Sequence, residues 1–217
     1  MKSTFTTLMV ALLPLFSFAQ QNFERFSLGL GGGITRNSGD LASSSSKSLL
    51  TGNADYFLSP YIQTGLELQT GKISAESNSS VYQNSFTSVL WINKIHAGQF
   101  MRLREVPIKW RAVMVNTLKG LYTGAGIGAT LTSQKNISGV NALQESRKNS
   151  SIGAVVPITF GLDNSGFNER FITGIAYQGH FALSDKFDGY ASSGTNKDYY
   201  STFVISFKMR LGPLGVY

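Results

Sequence analysis

His180 is the residue best suited to acid–base chemistry, since an imidazole exchanges its proton near neutral pH. Ser184 and Asp185 follow it closely, and a serine nucleophile needs a base within hydrogen-bond reach, with an acid to orient that base. On this reading the chain is an enzyme acting on membrane lipid through His180. On the other, His180 is a histidine at the rim of a β-structure, with no second polar cluster of matching type. The sequence favours the second, so a non-enzyme is expected and no catalytic residue is assigned. His96, the other histidine, is expected at the surface. Two histidines this far apart do not have the spacing of a metal site, and no metal or cofactor is expected. The run Gly29, Gly31, Gly32, Gly33 could cradle a phosphate, but only if a helix followed it. Alternation instead continues through Ile34, which makes the run a glycine-rich strand.

The second candidate set is electrostatic. Asp55, Glu67, Lys109, Arg111, Lys208 and Arg210 all fall on the polar side of alternating segments. Charges gathered inside a narrow barrel must be paired, so these six are expected to form a charge network filling a lumen. Glu67 is expected to meet Lys109 or Arg111, and Asp55 to meet Lys208 or Arg210. An ion-conducting pore or a narrow pore for small solutes is the sharper alternative. It is disfavoured because eight strands enclose a space just wide enough for side chains.

These residues sit on segments of period two, the mark of strands. Phe26, Leu28, Leu30 and Ile34 share one face of the first. Ala54, Tyr56 and Leu58 oppose Asn53 and Asp55. Ile62, Leu66 and Leu68 oppose Gln63, Glu67 and Gln69. A fourth strand is expected from His96 to Val115, with Val106, Ile108, Trp110 and Ala112 opposing Lys109 and Arg111 and a β-bulge between Leu103 and Val106. Four more follow around Leu121–Leu131, Ile152–Phe160, Phe171–Phe181 and Tyr199–Leu211. The long polar connections Asn37–Ser48, Ser74–Asn93, Ser133–Ser150 and Ser184–Lys197 alternate with short ones at Ser59-Pro60, Asn116–Lys119 and Asp163–Glu169. Long loops at one end and short turns at the other are the plan of an outer-membrane barrel. The polar faces carry glycines and small hydroxyls rather than Lys and Glu, which suits a lumen better than a solvated wall. Phe26, Trp110, Phe171 and Tyr199 suit interfacial girdles. An eight-stranded antiparallel up-and-down transmembrane β-barrel is the expected fold.

The ends and the composition agree with export. Lys2, the apolar stretch Leu8–Phe18 and the small residues Ser17 and Ala19 read as a signal peptide over 1–19 with cleavage before Gln20, leaving a barrel domain over 20–217. The stretch is short for a helical span. The chain has no cysteine, which excludes a lipid-anchored lipoprotein and disulfide staples. No later segment is long and apolar enough for a membrane helix. The net charge of +7 comes from scattered Lys and Arg, and with an export signal it does not indicate nucleic acid.

Two stretches carry a family resemblance. Arg104-Glu105-Val106-Pro107-Ile108-Lys109-Trp110 resembles an acidic-aliphatic-Pro-aliphatic strand, and Leu121-Tyr122-Thr123-Gly124-Ala125-Gly126-Ile127-Gly128 resembles an aromatic-Gly-x-Gly strand. Both are features of the small outer-membrane β-barrel family of OmpA/OmpX-like and PorT-like type. The resemblance covers the chain after the signal and implies no shared active site; a porin-like label for such barrels does not imply conduction. It implies outer-membrane lipid and the barrel-assembly machinery as partners. It also implies a terminal aromatic signal, for which Tyr217 and the Phe207–Leu211 segment both stand as candidates.

The expected role is a structural or loop-mediated binding function in the cell envelope, with an extracellular or envelope protein engaging the long loops. Tyr82, Phe86 and Tyr190 are the loop aromatics expected to make contact. A soluble periplasmic lipid-binding barrel is the third reading. Intact-mass measurement of the protein from outer membranes should give a chain beginning at Gln20; one that retains Met1 would refute the cleavage site.

Overall fold

The computed structural model describes residues 23–37, 43–77, 80–101, 109–139, 150–165, 170–183 and 199–215. The elements are β1 (Phe23–Asn37), the short β2 (Ser43–Ser45), β3 (Lys47–Ser59), β4 (Ile62–Ser77) and β5 (Ser80–His96). A 3-10 turn (Ala97–Gln99), the helix α1 (Lys109–Lys119), β6 (Leu121–Gly139), β7 (Ser150–Ser165), β8 (Phe171–Ala182) and β9 (Tyr199–Gly215) follow. Every pairing is antiparallel. Eight strands pair in succession, β1 with β9 and β4 with β5 complete the circuit, and β2 adds to the far end of β4. The fold is a closed eight-stranded up-and-down barrel.

Closure fixes its dimensions. The hydrogen-bonded row that starts at Phe26 passes Tyr56, Thr64, Asn93, Ala125, Ile158, Gly179 and Ser201 and returns to β1 at Arg36, ten residues further on. A shear of that size in eight strands tilts them by roughly 40° and leaves a narrow interior.

Period two along each strand then sorts residues between two environments. β3 and β8 alternate almost without interruption between exposed and buried. The exposed positions are apolar: Leu30 is 75 % exposed, Leu50 66 %, Ile127 63 % and Ile205 59 %. Many buried positions are polar or charged, including Asp55, Glu67, Lys94, Asp163, Gln178 and Lys208. Water would reverse this order, because burying unpaired polar groups and exposing large apolar areas both cost free energy. Hydrocarbon outside the wall makes it favourable. Among the described residues no helix is long and apolar enough to cross a membrane.

The expected fourth strand is displaced. The strand at that place in the barrel is β5, Ser80–His96, inside the segment read as the Ser74–Asn93 loop. Its inward residues include Phe86, Leu90 and Ile92, all buried, while Val89, Trp91 and Ile95 face out. With apolar residues on both faces the alternation has no contrast. Lys109–Lys119 is helical, so Asn116–Lys119 is not a short turn, and the connection from β5 to β6 is the longest at its end of the barrel. The segment has no glycine, and Trp110, Val113, Met114 and Thr117 follow helical spacing as well as they follow alternation. Gly120 ends the helix: its N–H donates to the carbonyls of Asn116 and Thr117, at 3.2 and 3.1 Å. A Cβ there would collide with the Asp163 carbonyl. The bulge expected between Leu103 and Val106 lies outside the described residues, and of the Arg104–Trp110 stretch the last two residues open the helix. Asp163 belongs to β7 rather than to a turn. β9 runs past Leu211 to Gly215, and Gly212 supplies the φ of +108° in its path. Tyr217 lies outside the described residues.

Ile158 and Ile205 both face out. Ile158→Arg and Ile205→Arg should each lower stability by about 2–4 kcal/mol near the bilayer midplane, measured by reversible unfolding from lipid vesicles. Unchanged stability in both would refute the assigned lipid-facing wall.

Candidate functional site

Among the described residues the largest gathering of titratable side chains is in the lumen, whose contents change along the barrel axis. Reading β9 from the upper end, where the 184–198 connection enters, the inward residues pass from Tyr200 through Thr202 to Lys208. β5 reads in the same direction from Phe86 through Leu90 to Lys94 and His96. The upper lumen is apolar and aromatic, the middle is amide and hydroxyl, and the lower end is ionic.

At the lower end Lys208 Nζ lies 2.8 Å from Asp163 Oδ2 and 3.6 Å from Asp55 Oδ2, and Lys94 Nζ lies 3.6 Å from Asp55 Oδ1. Asn53 Nδ2 donates to Asp55 Oδ2 at 2.9 Å. The two ammonium groups flank the ring of Tyr122, 5.6 and 6.0 Å from its centroid, a cation–π geometry. His96 joins from β5: its Nε2 is 3.5 Å from Asp163 Oδ2 and its Nδ1 3.1 Å from the Tyr61 carbonyl. All of these side chains except that of Tyr61 are buried. Two carboxylates and two ammonium groups therefore neutralise one another. Glycines make the space. A Cβ at Gly29 would lie 2.7 Å from Lys208 Cγ, one at Gly174 2.6 Å from Asp163 Oδ1, and one at Gly161 would strike the Tyr122 ring.

In the middle, Glu67 is held by neutral groups. Thr51 Oγ1 donates to Oε1 at 3.2 Å and Gln69 Nε2 at 2.9 Å, while Gln178 Nε2 reaches both oxygens at 3.2 and 3.1 Å. Among the described residues no cation forms an ion pair with it. Beside this layer and above it, Leu49, Phe86, Leu90, Ile92, Val155, Ala182, Tyr200 and Val204 form one buried cluster. The His180 imidazole lies flat on the Tyr200 ring, with centroids 4.2 Å apart and planes 2° from parallel.

Of the six charged residues expected inside, the structure brings Asp55 and Lys208 together and buries Glu67. Arg210 is half-buried, its guanidinium 5.2 Å from the centre of the Phe57 ring. Lys109 and Arg111 belong to α1 and not to a strand, so neither is the partner expected for Glu67; the inward parity assigned to them came from reading a helix as a strand. Three members of the ionic cluster were missed. Lys94 and His96 were hidden by the misplaced fourth strand, and His96 is buried rather than at the surface. Asp163 was assigned to a turn. The signal that locates all three is continuation of each strand's parity to its last residue. His180 has no exposed surface, and its Nε2 faces Thr202 Oγ1 at 3.4 Å rather than an acid. Ser184, Asp185 and Tyr190 lie outside the described residues. Phe86, expected at a loop surface, is in the lumen, and Tyr82 belongs to β5. Among the described residues no three of His, Cys, Asp and Glu gather to hold a metal ion.

No family model matches the chain, and no curated protein matches it. Solved structures do. Neisserial surface protein A is similar with a TM-score of 0.56 at 8 % identity, over 86 % of this chain and 97 % of that one. Ail, the attachment invasion locus protein of Yersinia pestis, in complex with the heparin analogue sucrose octasulfate, is similar with a TM-score of 0.51 at 13 % identity, over 87 % and 100 %. The likeness to small outer-membrane barrels therefore holds for the architecture, and at such identity no residue role transfers.

Lys208 contacts both buried aspartates, so Lys208→Met should cost about 3–5 kcal/mol, the usual penalty for removing one partner of a buried pair. Glu67→Gln should cost clearly less, because the groups around Glu67 are uncharged and can hydrogen-bond an amide. Unfolding free energies in vesicles give the order directly, and a larger loss for Glu67→Gln would contradict it.

Proposed function

We propose that the chain is a non-enzymatic outer-membrane β-barrel, exported with residues 1–19 removed, whose side-chain-filled lumen makes it a rigid pillar for its upper loops. Its role is structural or loop-mediated binding in the cell envelope. The observation that carries the reading is the inside-out wall: large apolar side chains outside, and neutralised charge and hydrogen-bonded amides inside. Lys208, Asp163, Glu67, Gln178 and Tyr200 are all buried, and eight strands enclose little more than their side chains, which argues against a pore. Burial of His180 against Tyr200 argues against lipid chemistry there, because the ring does not reach the wall that lipid touches. Outer-membrane lipid and the barrel-assembly machinery are the partners that insertion requires. The connections 38–42, 140–149 and 184–198 all leave the upper end, where an extracellular or envelope protein would engage them.

Two measurements on the full-length protein test this. A biotin acceptor tag inserted at Gly194 should label on intact cells, and planar bilayers holding the purified barrel should show no steady, large conductance. A tag reached only after envelope rupture would reverse the orientation, and a persistent open channel would overturn the filled lumen.

A further inference from the structure

Among the described residues, the lipid-facing wall carries a side-chain amide that hydrocarbon cannot satisfy. Asn93 faces outward from β5 and is exposed. On its own strand it lies between the exposed Trp91 and Ile95; Leu66 and Ile127 are its diagonal neighbours above, Thr123 is the one below on β6, and Leu121 lies further down that strand. It is therefore inside the apolar belt, not at its rim. Its cross-strand neighbours are Thr64 and Ala125. Thr64 Oγ1 accepts a hydrogen bond from Trp91 Nε1 at 2.7 Å, which satisfies the indole. Among the described residues no hydrogen bond reaches the Asn93 amide.

An unpaired amide in hydrocarbon is costly, and polar side chains at such depths join protein surfaces. The wall beside it is shaped for contact. Thr64 and Ala125 on either side of Asn93 are small, and one strand further, beside Thr64 and Ala54, a hollow of about 390 Å³ opens between Leu28, Tyr56, Leu66 and Trp91. An amide is both donor and acceptor, so it is its own complement. A second copy of this chain brings the same amide to the same depth by construction, and a two-fold interface places like patches face to face.

We propose that the β3–β6 wall is a dimerisation surface and that two copies of the chain pair there through Asn93. The pairing rests on the membrane reading above, since only in lipid is the amide left without a partner. The absence of cysteine from the chain makes the test direct. Ala125→Cys and Ile205→Cys each introduce a single thiol on the outer wall and leave the Asn93 amide in place, the first beside Asn93 on β6 and the second on β9, diametrically opposite β5. Outer membranes from cells producing each full-length variant are oxidised with copper–phenanthroline and run on non-reducing gels after carbonate extraction. The expected result is a cross-linked dimer as the major band for Ala125→Cys and at least a five-fold lower yield for Ile205→Cys. In vesicles of phosphatidylethanolamine and phosphatidylglycerol, donor and acceptor dyes on the upper loops should report energy transfer that Asn93→Leu abolishes, while that variant keeps the heat-modifiable gel mobility of a folded barrel. Equal cross-linking at both positions, or transfer unchanged in a folded Asn93→Leu barrel, would overturn the interface. Loss of the protein from the carbonate pellet would instead defeat the membrane reading.

Discussion

Closure with a shear of ten residues is the constraint on which the rest depends. It removes every strand edge from the eight barrel strands, so backbone hydrogen bonds are satisfied within the wall and hydrocarbon can surround it. It also fixes a narrow bore. Charges turned into so narrow a bore are costly unless opposite charges or hydrogen-bond donors meet them. The lower-end cluster is what this requirement produces: Lys208 bridges Asp55 and Asp163, and Lys94 balances the second charge on the pair. No disulfide is available, and none is needed where the sheet has no ends.

The glycines follow from the same geometry. Long side chains such as Lys208 and Tyr122 lie across the bore, and the wall they cross must be bare. Gly29, Gly161 and Gly174 occupy those places, and a single methyl at any of them would overlap the ionic cluster. The glycine-rich faces are thus the counterpart of the buried charges.

How much of this was legible varies by strand, for a physical reason. β1, β3, β4, β6, β7, β8 and β9 alternate apolar-out with polar-or-glycine-in, so the sequence exposes both the strand and its orientation. Asp55 and Lys208 follow from that parity. β5 does not alternate in polarity, because its upper half lines the apolar part of the lumen with Phe86, Leu90 and Ile92 while lipid covers Val89 and Trp91. Lys109–Lys119 offers the reverse deception: its apolar residues suit either period, and the absence of glycine decides for the helix. One misplaced strand then hid Lys94 and His96 and supplied false partners for Glu67. His180 was read correctly as inward, but period two gives a side and not a depth, and so could not place it against Tyr200.

The cluster also does something for the barrel's lower end that charge balance alone does not require. Asp163 sits where β7 meets the long helical connection, and its backbone N–H donates to the Gly120 carbonyl at 2.9 Å while its carboxylate holds Lys208. His96 sits where β5 ends; its backbone N–H donates to the Tyr61 carbonyl at 2.8 Å, and its ring contacts that same carbonyl and Asp163. Two of the three lower connections are therefore tied to the ionic cluster, through Asp163 near the end of β7 and His96 at the end of β5. Turns are ordinarily the parts of a fold that open first. Here, opening either one would pull Asp163 or His96 away from its buried partners. The free energy that holds the lumen closed thus also holds the connections closed, and rigidity of the lower end comes from the lumen rather than from the turns' own short-range contacts.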